Sequence, residues 1–306
     1  DGLRDVFVLR GAWMGEYGKQ PNSLLKNNGD NTFIDVTYSA GLLCLHPTQT
    51  AAWADFNNDG WLDLFIGNET IPNGEVNPCQ LFVSNRDGTF SEKANVAGID
   101  ISAFVKAVAV GDVNNDGFAD IYFSVLGDEN LLFINSGDLG KGAVRFYEKP
   151  NAGVSSPKSS FPAWMWDFDN DGWLDIAAFT YYHYQGSFVA KEYFGRPHGK
   201  EYSSIFRNNG DGTFENLRDS LNFKTTLIAM GSNFGDLDND GWLDFYIGTG
   251  RPDYRSLFPN RMFRNDGGKS FQDVTTSGGF GHLQKGHGIA FGDIDNDGDQ
   301  DIYAVM

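Results

Sequence analysis

A nine-residue motif, D-x-[DN]-N-D-G-x-x-D, occurs five times in full and restricts this chain more than any other feature. It first reads Asp55-Phe56-Asn57-Asn58-Asp59-Gly60-Trp61-Leu62-Asp63. It returns at 112–120, 167–175, 236–244 and 293–301, with starts 57, 55, 69 and 57 residues apart. A fixed period of this length is the signature of a repeat architecture. The opening residues, Asp1-Gly2-Leu3-Arg4-Asp5, match the last five motif positions. The natural protein is therefore expected to begin before Asp1 and to continue beyond Met306.

A second element follows each motif, at 23–30, 80–90, 204–214 and 261–271, with a looser copy at 131–146. Each is an apolar alternating stretch, an Asn/Asp-Gly turn, and a second stretch that opens with Phe where the copy is complete. Asn and Gly tolerate the positive φ of tight turns, so this is a hairpin signal. One strand enters each acidic loop, as in Gly288-Ile289-Ala290-Phe291, and one leaves it, as in Leu64-Phe65-Ile66. Four short strands per period predict an all-β chain, a β-propeller of four-stranded blades with its Asp loops between strands one and two. Parallel β-helix repeats are much shorter, and no stretch reads as a long amphipathic helix. The expectation is a single propeller domain over 1–306, truncated at both ends, with repeats at 1–48, 49–105, 106–160, 161–229, 230–286 and 287–306. Closing the ring would remove exposed sheet edges. Seven blades in the full protein is the preferred total and six the alternative.

The acidic residues are patterned as well as numerous. The formal net charge is −18, and nineteen of the 41 Asp and Glu lie in the five motifs. Carboxylates this close repel one another unless a cation neutralises them. Five bound divalent ions would bring −18 to −8. The same acidity excludes a nucleic-acid partner, whose phosphates need a basic surface. No apolar run approaches the ~18 residues of a membrane span, and no signal or transit peptide is visible.

A hard cation such as Ca²⁺ takes six to eight oxygens. Side chains at motif positions 1, 3, 5 and 9 can converge on one point, and position 7 can add its backbone carbonyl. Gly at position 6 permits the bend that brings position 9 back. The expected ligand sets are Asp55, Asn57, Asp59, Trp61 (carbonyl) and Asp63; Asp112, Asn114, Asp116, Phe118 (carbonyl) and Asp120; and Asp167, Asp169, Asp171, Trp173 (carbonyl) and Asp175. The last two are Asp236, Asp238, Asp240, Trp242 (carbonyl) and Asp244, and Asp293, Asp295, Asp297, Asp299 (carbonyl) and Asp301. The bland alternative is a set of metal-free Asx-turns, which do not need four converging oxygens repeated in phase. Mg²⁺ prefers water and octahedral geometry. An EF-hand needs Glu at position 12, where this chain has Ile66, Phe123, Ala178, Ile247 and Ala304. About five structural calcium ions are expected. Extracellular calcium modules bind with Kd of ~0.1–1 mM, so sites of this kind fit an extracellular, periplasmic or cell-surface location.

Cys44 and Cys79 are the only cysteines. They fit neither a disulfide-rich scaffold nor a zinc site, and a disulfide and two separate buried thiols both stay open. Asn68-Glu69-Thr70 is an N-glycosylation sequon in a eukaryotic setting.

The Asp loops resemble the FG-GAP/VCBS repeats of integrin-like propellers over essentially the whole chain. Three further stretches sharpen the likeness: Arg207-Asn208-Asn209-Gly210-Asp211-Gly212-Thr213-Phe214, His46-Pro47-Thr48-Gln49-Thr50-Ala51-Ala52-Trp53-Ala54-Asp55, and Gly286-His287-Gly288. With these the chain resembles the ASPIC/UnbV (cartilage acidic protein-like) family. The resemblance implies a seven-bladed calcium propeller followed by a C-terminal ASPIC/UnbV segment outside this sequence, with matrix or surface interaction as the usual assignment. Only Asp1 and Asp5 remain of the partial first motif, and Asp299 replaces the aromatic residue found at position 7 elsewhere.

In a propeller the strand 2–3 and blade-to-blade loops share the face opposite the Asp loops. All five histidines, His46, His183, His198, His282 and His287, map there, with insertions at 11–21 and 181–202. The second insertion holds Tyr181, Tyr182, His183, Tyr184, Tyr193, Phe194, Arg196 and His198, and a further loop holds Arg251, Asp253, Tyr254 and Arg255. Aromatic rings with Arg and His suit stacking on sugars or gripping an acidic partner. The candidate ligand contacts are His46, Tyr182, His183, Arg196, His198, Arg251, Tyr254, Arg255, His282 and His287. The alternative is that these side chains pack the loops against each other.

Two functions follow. One is a non-catalytic module binding protein or glycan on this face, in adhesion. The other is a propeller enzyme of the polysaccharide lyase or dehydratase type, with His46, His282, His287 and Lys285 as general-base candidates. No nucleophile motif, His-rich metal spacing or second carboxylate pair supports catalysis, and binding is the favoured reading.

Overall fold

The computed structural model describes residues 2–137, 143–182, 190–191, 194–196, 199–225, 227–250 and 258–305. Among these the chain is all-β, in six antiparallel sheets, with helix only in a four-residue turn at Ala94–Ala97, at residues 190–191 and in two short 3-10 turns. It divides into two compact units, one of residues 1–112, 116–125 and 131–149, the other of 113–115, 126–130 and 150–306.

The first unit holds three sheets. β1 (Val6–Val8), β2 (Ser23–Asn27) and β3 (Phe33–Asp35) form one. β4 (Thr48–Ala54), β5 (Asp63–Asn68), β6 (Gln80–Ser84) and β7 (Phe90–Glu92) form the next. β8 (Val105–Gly111), β9 (Asp120–Val125), β10 (Leu131–Asn135) and β11 (Phe146–Glu148) form the third. The second unit repeats the pattern with β12 (Ser160–Trp166), β13 (Asp175–Thr180), β14 (Ser204–Asn208) and β15 (Phe214–Asn216). Then come β16 (Ala229–Gly235), β17 (Asp244–Thr249), β18 (Arg261–Asn265) and β19 (Phe271–Asp273), followed by the pair β20 (Ile289–Gly292) and β21 (Asp301–Ala304).

Each four-stranded sheet is a meander in chain order, and the reasons are legible strand by strand. The second strands β5, β9, β13 and β17 are buried at all six positions, which is why they read as continuous apolar runs rather than alternating ones. The fourth strands have only three residues, opened by a Phe and otherwise exposed or nearly so. Each seven-residue first strand carries a register shift near its start, between Thr48 and Thr50, Val105 and Ala107, Ser160 and Ala163, and Ala229 and Gly231. An extra residue there bends the strand and increases its twist. Two of the hairpins between third and fourth strands are closed by Asp carboxylates, with Thr89 N donating to Asp87 Oδ1 at 2.9 Å and Thr213 N to Asp211 Oδ1 at 2.9 Å.

The cores are aromatic. Phe56, Phe65, Phe123, Phe133 and Phe146 cluster with Ile121 in the first unit. In the second, Trp166 stacks on Phe271 with ring centroids 5.8 Å apart, and Phe245 stacks on Phe263 at 4.9 Å. Such pairs contribute about 0.5–1.5 kcal/mol beyond the area they bury.

Three features of the first unit bear on the sequence reading. Cys44 and Cys79 are both free and buried, so the disulfide alternative is set aside. Burial raises the Cys44 thiol pKa and pushes that of Cys79 up to about 12. Native protein is therefore expected to resist a thiol reagent such as DTNB, and to label at two sites only once unfolded; rapid labelling of the native chain would refute this burial. The sequon is also closed. Asn68 is fully buried and its Nδ2 donates to Pro78 O at 2.7 Å, which leaves no amide for a glycan.

The third feature was not legible in the sequence. Lys106 and Glu69 form an ion pair with both side chains fully buried. Lys106 Nζ lies 3.2 Å from the Trp13 ring centroid and 3.8 Å from that of Phe104, and Glu69 Oε2 accepts the Trp13 N–H at 2.7 Å. The pair thus anchors the insertion at 11–21 to β5 and β8. Burial pulls the ammonium down to about 8, with Glu69 opposing the shift.

Candidate metal centres

Every full acidic motif joins the first strand of a sheet to the second, and its ninth position is the first residue of that second strand. The same hydrogen bonds recur in each copy. The position-1 carboxylate accepts two backbone N–H groups, those of positions 5 and 6. Asp167 takes Asp171 N at 3.0 Å and Gly172 N at 2.9 Å, and Asp236 takes Asp240 N and Gly241 N at the same distances. Asp55, Asp112 and Asp293 do likewise. Position 5 then accepts the N–H of position 7, as Asp171 does from Trp173 at 2.9 Å. Position 6 must be Gly because its φ is 87–97° in every copy, where a Cβ is strained.

Position 9 ties the loop to the sheet. Asp63, Asp175 and Asp244 are buried, and each accepts two backbone bonds. Oδ1 takes the N–H of the last residue of the third strand, from Ser84, Asn208 and Asn265, each at 2.8 Å. Oδ2 takes the N–H of position 2, from Phe56 at 3.2 Å and from Phe168 and Leu237 at 3.1 Å. Asp120 accepts Asn135 N at 2.8 Å in the same way, and Asp301, although exposed, accepts Ile294 N at 3.0 Å. Asp5, from the partial motif, accepts Asn27 N at 2.8 Å.

Among the described residues three loops bring three carboxylates together, each offering one oxygen within 4.8 Å of the others. They are Asp167, Asp169 and Asp175; Asp236, Asp238 and Asp244; and Asp293, Asp295 and Asp297. Asp169 Oδ1 is buried and has no hydrogen-bond donor. Burial, then the neighbouring carboxylates, oppose charge here despite the backbone bonds. The Asp175 carboxyl is pushed up to about 8 and those of Asp63 and Asp244 to about 6. An orphaned oxygen amid acids whose charge is disfavoured fits an oxygen-seeking cation.

The loops are not identical. In the first full loop Asn57 Nδ2 donates to Asp59 Oδ2 at 3.0 Å, and Arg86 holds the same oxygen with Nε at 3.1 Å and Nη2 at 3.0 Å. Arg264 bridges Asp238 and Asp240, reaching Asp240 Oδ2 at 2.9 Å. These two arginines were missed from the sequence because they sit in the hairpin, more than twenty residues from their carboxylates.

The candidate ligand contacts divide. His183, His198, Arg251, Tyr254 and Arg255 lie outside the described residues. Tyr182 is corrected to a packing residue, since it is buried and its hydroxyl donates to Glu201 O at 3.0 Å. Arg196 is exposed. His46, between β3 and β4, pairs Nδ1 with Asn77 Oδ1 at 2.9 Å. His282 and His287 lie between β19 and β20, both exposed. Partial desolvation of the ring, then the Lys285 charge, lower the His287 pKa.

The described chain is thus a protein of repeated four-stranded sheets, each full one with an acidic nine-residue loop between its first two strands. It belongs to the FG-GAP-like repeat family, whose model matches residues 1–66, 55–123, 167–247 and 248–304. It is 30% identical to human cartilage acidic protein 1 over 194 residues, which covers 61% of this chain and 26% of that protein. The mouse protein is 29% identical over 214 residues, covering 68% and 29%. The chain therefore spans little more than a quarter of the curated relatives it matches. Among solved structures, an Agrocybe aegerita lectin that recognises non-reducing terminal N-acetylglucosamine aligns over 100% of this chain and 86% of its own, at 15% identity and a TM-score of 0.39. The V. cholerae biofilm matrix protein Bap1 aligns over 92% and 37%, at 14% identity and a TM-score of 0.44. Such low scores leave function to be read from this chain's own residues. No helix among the described residues is long and apolar enough to cross a membrane.

Proposed function

We propose that this chain is part of a calcium-stabilised β-propeller that acts outside the cytoplasm as a protein- or glycan-binding adhesion module. The observation that carries the reading is the acidic triad at 167–175, 236–244 and 293–301, built from positions 1, 3 and 9 in the first two loops and from positions 1, 3 and 5 in the third. Position 1, 3, 5 and 9 side chains would hold the ion, with Asn57 and Asn114 at position 3 of the first two full loops. Calcium when bound supplies positive charge and nothing redox-active. The chain's own part is to aim oxygens, through backbone N–H groups that already fix positions 1, 5 and 9. Sites of millimolar-range affinity fill where calcium is millimolar, which favours an extracellular, periplasmic or cell-surface setting.

The partner surface is assigned to the connections away from the acidic loops. In the first unit Trp13, Met14 and Tyr17 are exposed on the 11–21 insertion, Tyr17 at 82%. In the second, Phe194 and Arg196 are exposed between β13 and β14. Exposed rings beside cationic side chains suit sugar faces and acidic partners. Calorimetry should detect calcium binding at several sites. A glycan and secreted-protein array should then give calcium-dependent hits that weaken in Tyr17→Ala or Arg196→Ala. An ultraviolet assay on acidic polysaccharides that finds turnover lost in folded His287→Ala would replace adhesion with lyase chemistry.

A further inference from the structure

The fourth motif position is Asn in all five full copies, and the metal reading does not use it. In the second unit these side chains join consecutive loops. Asn170 Nδ2 donates to Gly241 O at 3.0 Å. Asn239 Nδ2 donates to Gly298 O at 3.3 Å and to Asp299 Oδ1 at 2.7 Å. Both asparagines are in the left-handed region, with φ of 55° and 57°, which Asn adopts at lower cost than most residues with a side chain.

The acceptor is well chosen. The carbonyl of Gly241 belongs to the peptide whose N–H, on Trp242, donates to Asp240 Oδ1 at 3.0 Å. The carbonyl of Gly298 shares a peptide with Asp299 N, which donates to Asp297 Oδ1 at 3.0 Å. A bond from one loop therefore fixes the peptide plane that aims the fifth-position carboxylate of the next. A bond also runs back. Asn265 Nδ2 donates to Phe168 O, the second position of the preceding loop, at 2.8 Å, while its own N–H donates to Asp244 Oδ1. The stitch is not a local accident of one pair. Asn115 Nδ2 reaches Gly172 O at 3.2 Å in the same unit. Asn58 reaches Gly117 O and Asn135 reaches Phe56 O, each at 2.8 Å, in the first.

We propose that the fourth-position Asn of one loop positions the calcium ligands of the next, so that the loops at 167–175, 236–244 and 293–301 fill cooperatively rather than as independent sites. The proposal rests on the calcium reading above. An ion that orders one loop holds its fourth residue in the left-handed turn and so holds the amide against the next loop, which then has less disorder to lose when its own ion arrives. By linkage the effect is mutual between neighbours. Loss of one neutral hydrogen bond corresponds to about fivefold in affinity.

The test is a calcium titration of the full chain followed loop by loop through hydrogen exchange and mass spectrometry. The wild type should show the three loops becoming protected together, with a slope steeper than one site. Asn170→Gly keeps the positive φ and removes only the amide. It should retain full protection at saturating calcium, while the 167–175 loop no longer fills in step with 236–244, which stays linked to 293–301 through Asn239, and the 236–244 loop needs about fivefold more calcium. Asn239→Gly should do the same for 236–244 and 293–301. Slopes and midpoints unchanged in both variants, or separate single-site curves in the wild type, overturn the coupling and leave calcium binding intact. Exchange that ignores calcium altogether in the wild type removes the calcium reading and the coupling with it.

Discussion

Stripping calcium from the purified chain with EGTA is expected to lower its unfolding free energy by about 7 kcal/mol relative to protein in ~1 mM calcium. The figure takes five sites, each with a Kd of ~0.1 mM and each contributing about 1.4 kcal/mol by mass action. For a chain of this size the melting temperature should fall by about 11 °C. A loss of this order is comparable with the whole stability of an ordinary domain. Its physical source is specific. Asp175 and Asp244 are buried carboxylates committed to backbone N–H groups, and Asp169 Oδ1 is buried with no donor. Without an ion Asp175 shares a low-dielectric site with Asp169, and Asp244 shares one with Asp238, and in each site one charge raises the cost of the next. Differential scanning calorimetry with and without chelator decides it, and coincident melting curves would show that the loops are acidic turns with no metal to lose. Magnesium at the same concentration should restore little, because it holds its water and demands octahedral geometry.

Lys106→Met should be the most damaging single substitution outside the acidic loops, costing about 3–5 kcal/mol in urea unfolding at saturating calcium. The lysine is fully buried against Glu69, and its removal leaves that carboxylate buried and uncompensated. It also removes the cation lodged against Trp13 and Phe104, and so frees the 11–21 insertion. The double variant Glu69→Gln/Lys106→Met retains an acceptor for Trp13 N and buries no charge, so it should recover most of the loss. A single-variant cost below about 1 kcal/mol would mean that the pair is solvated in solution.

Local and distant contacts differ in how far the sequence reveals them. Hairpin turns and acidic loops were readable because each depends on residues within a dozen positions, and strand order because the motif recurs in phase along the chain. Asp87 and Thr89 close their own turn, and Gly60 bends its own loop. What was not readable depends on residues far apart in the chain. Glu69 and Lys106 meet across two sheets, 37 positions apart, and neither has a motif. Arg264 reaches carboxylates 24 and 26 residues earlier. Asn68 matched a sequon on three letters, while burial beside Pro78 decided its fate. Tyr182 read as a loop aromatic and proved to be packing, which is the commoner outcome for a large ring at the end of a buried strand. The fourth-position Asn was visible in every copy, but its role needs the next repeat to be in place.

The ninth-position clamp has a consequence for how such a protein can diversify. Because that aspartate must meet both the second loop residue and the end of the third strand, the loop admits no insertion, and all five full copies keep nine residues. The connection from second to third strand is under no such constraint. It runs from Val125 to Leu131 in one sheet and from Thr180 to Ser204 in the next. Descendants of this chain are thus free to vary the connecting segments at one end of each sheet while the opposite end stays frozen, much as an instrument accepts new heads on an unchanging handle.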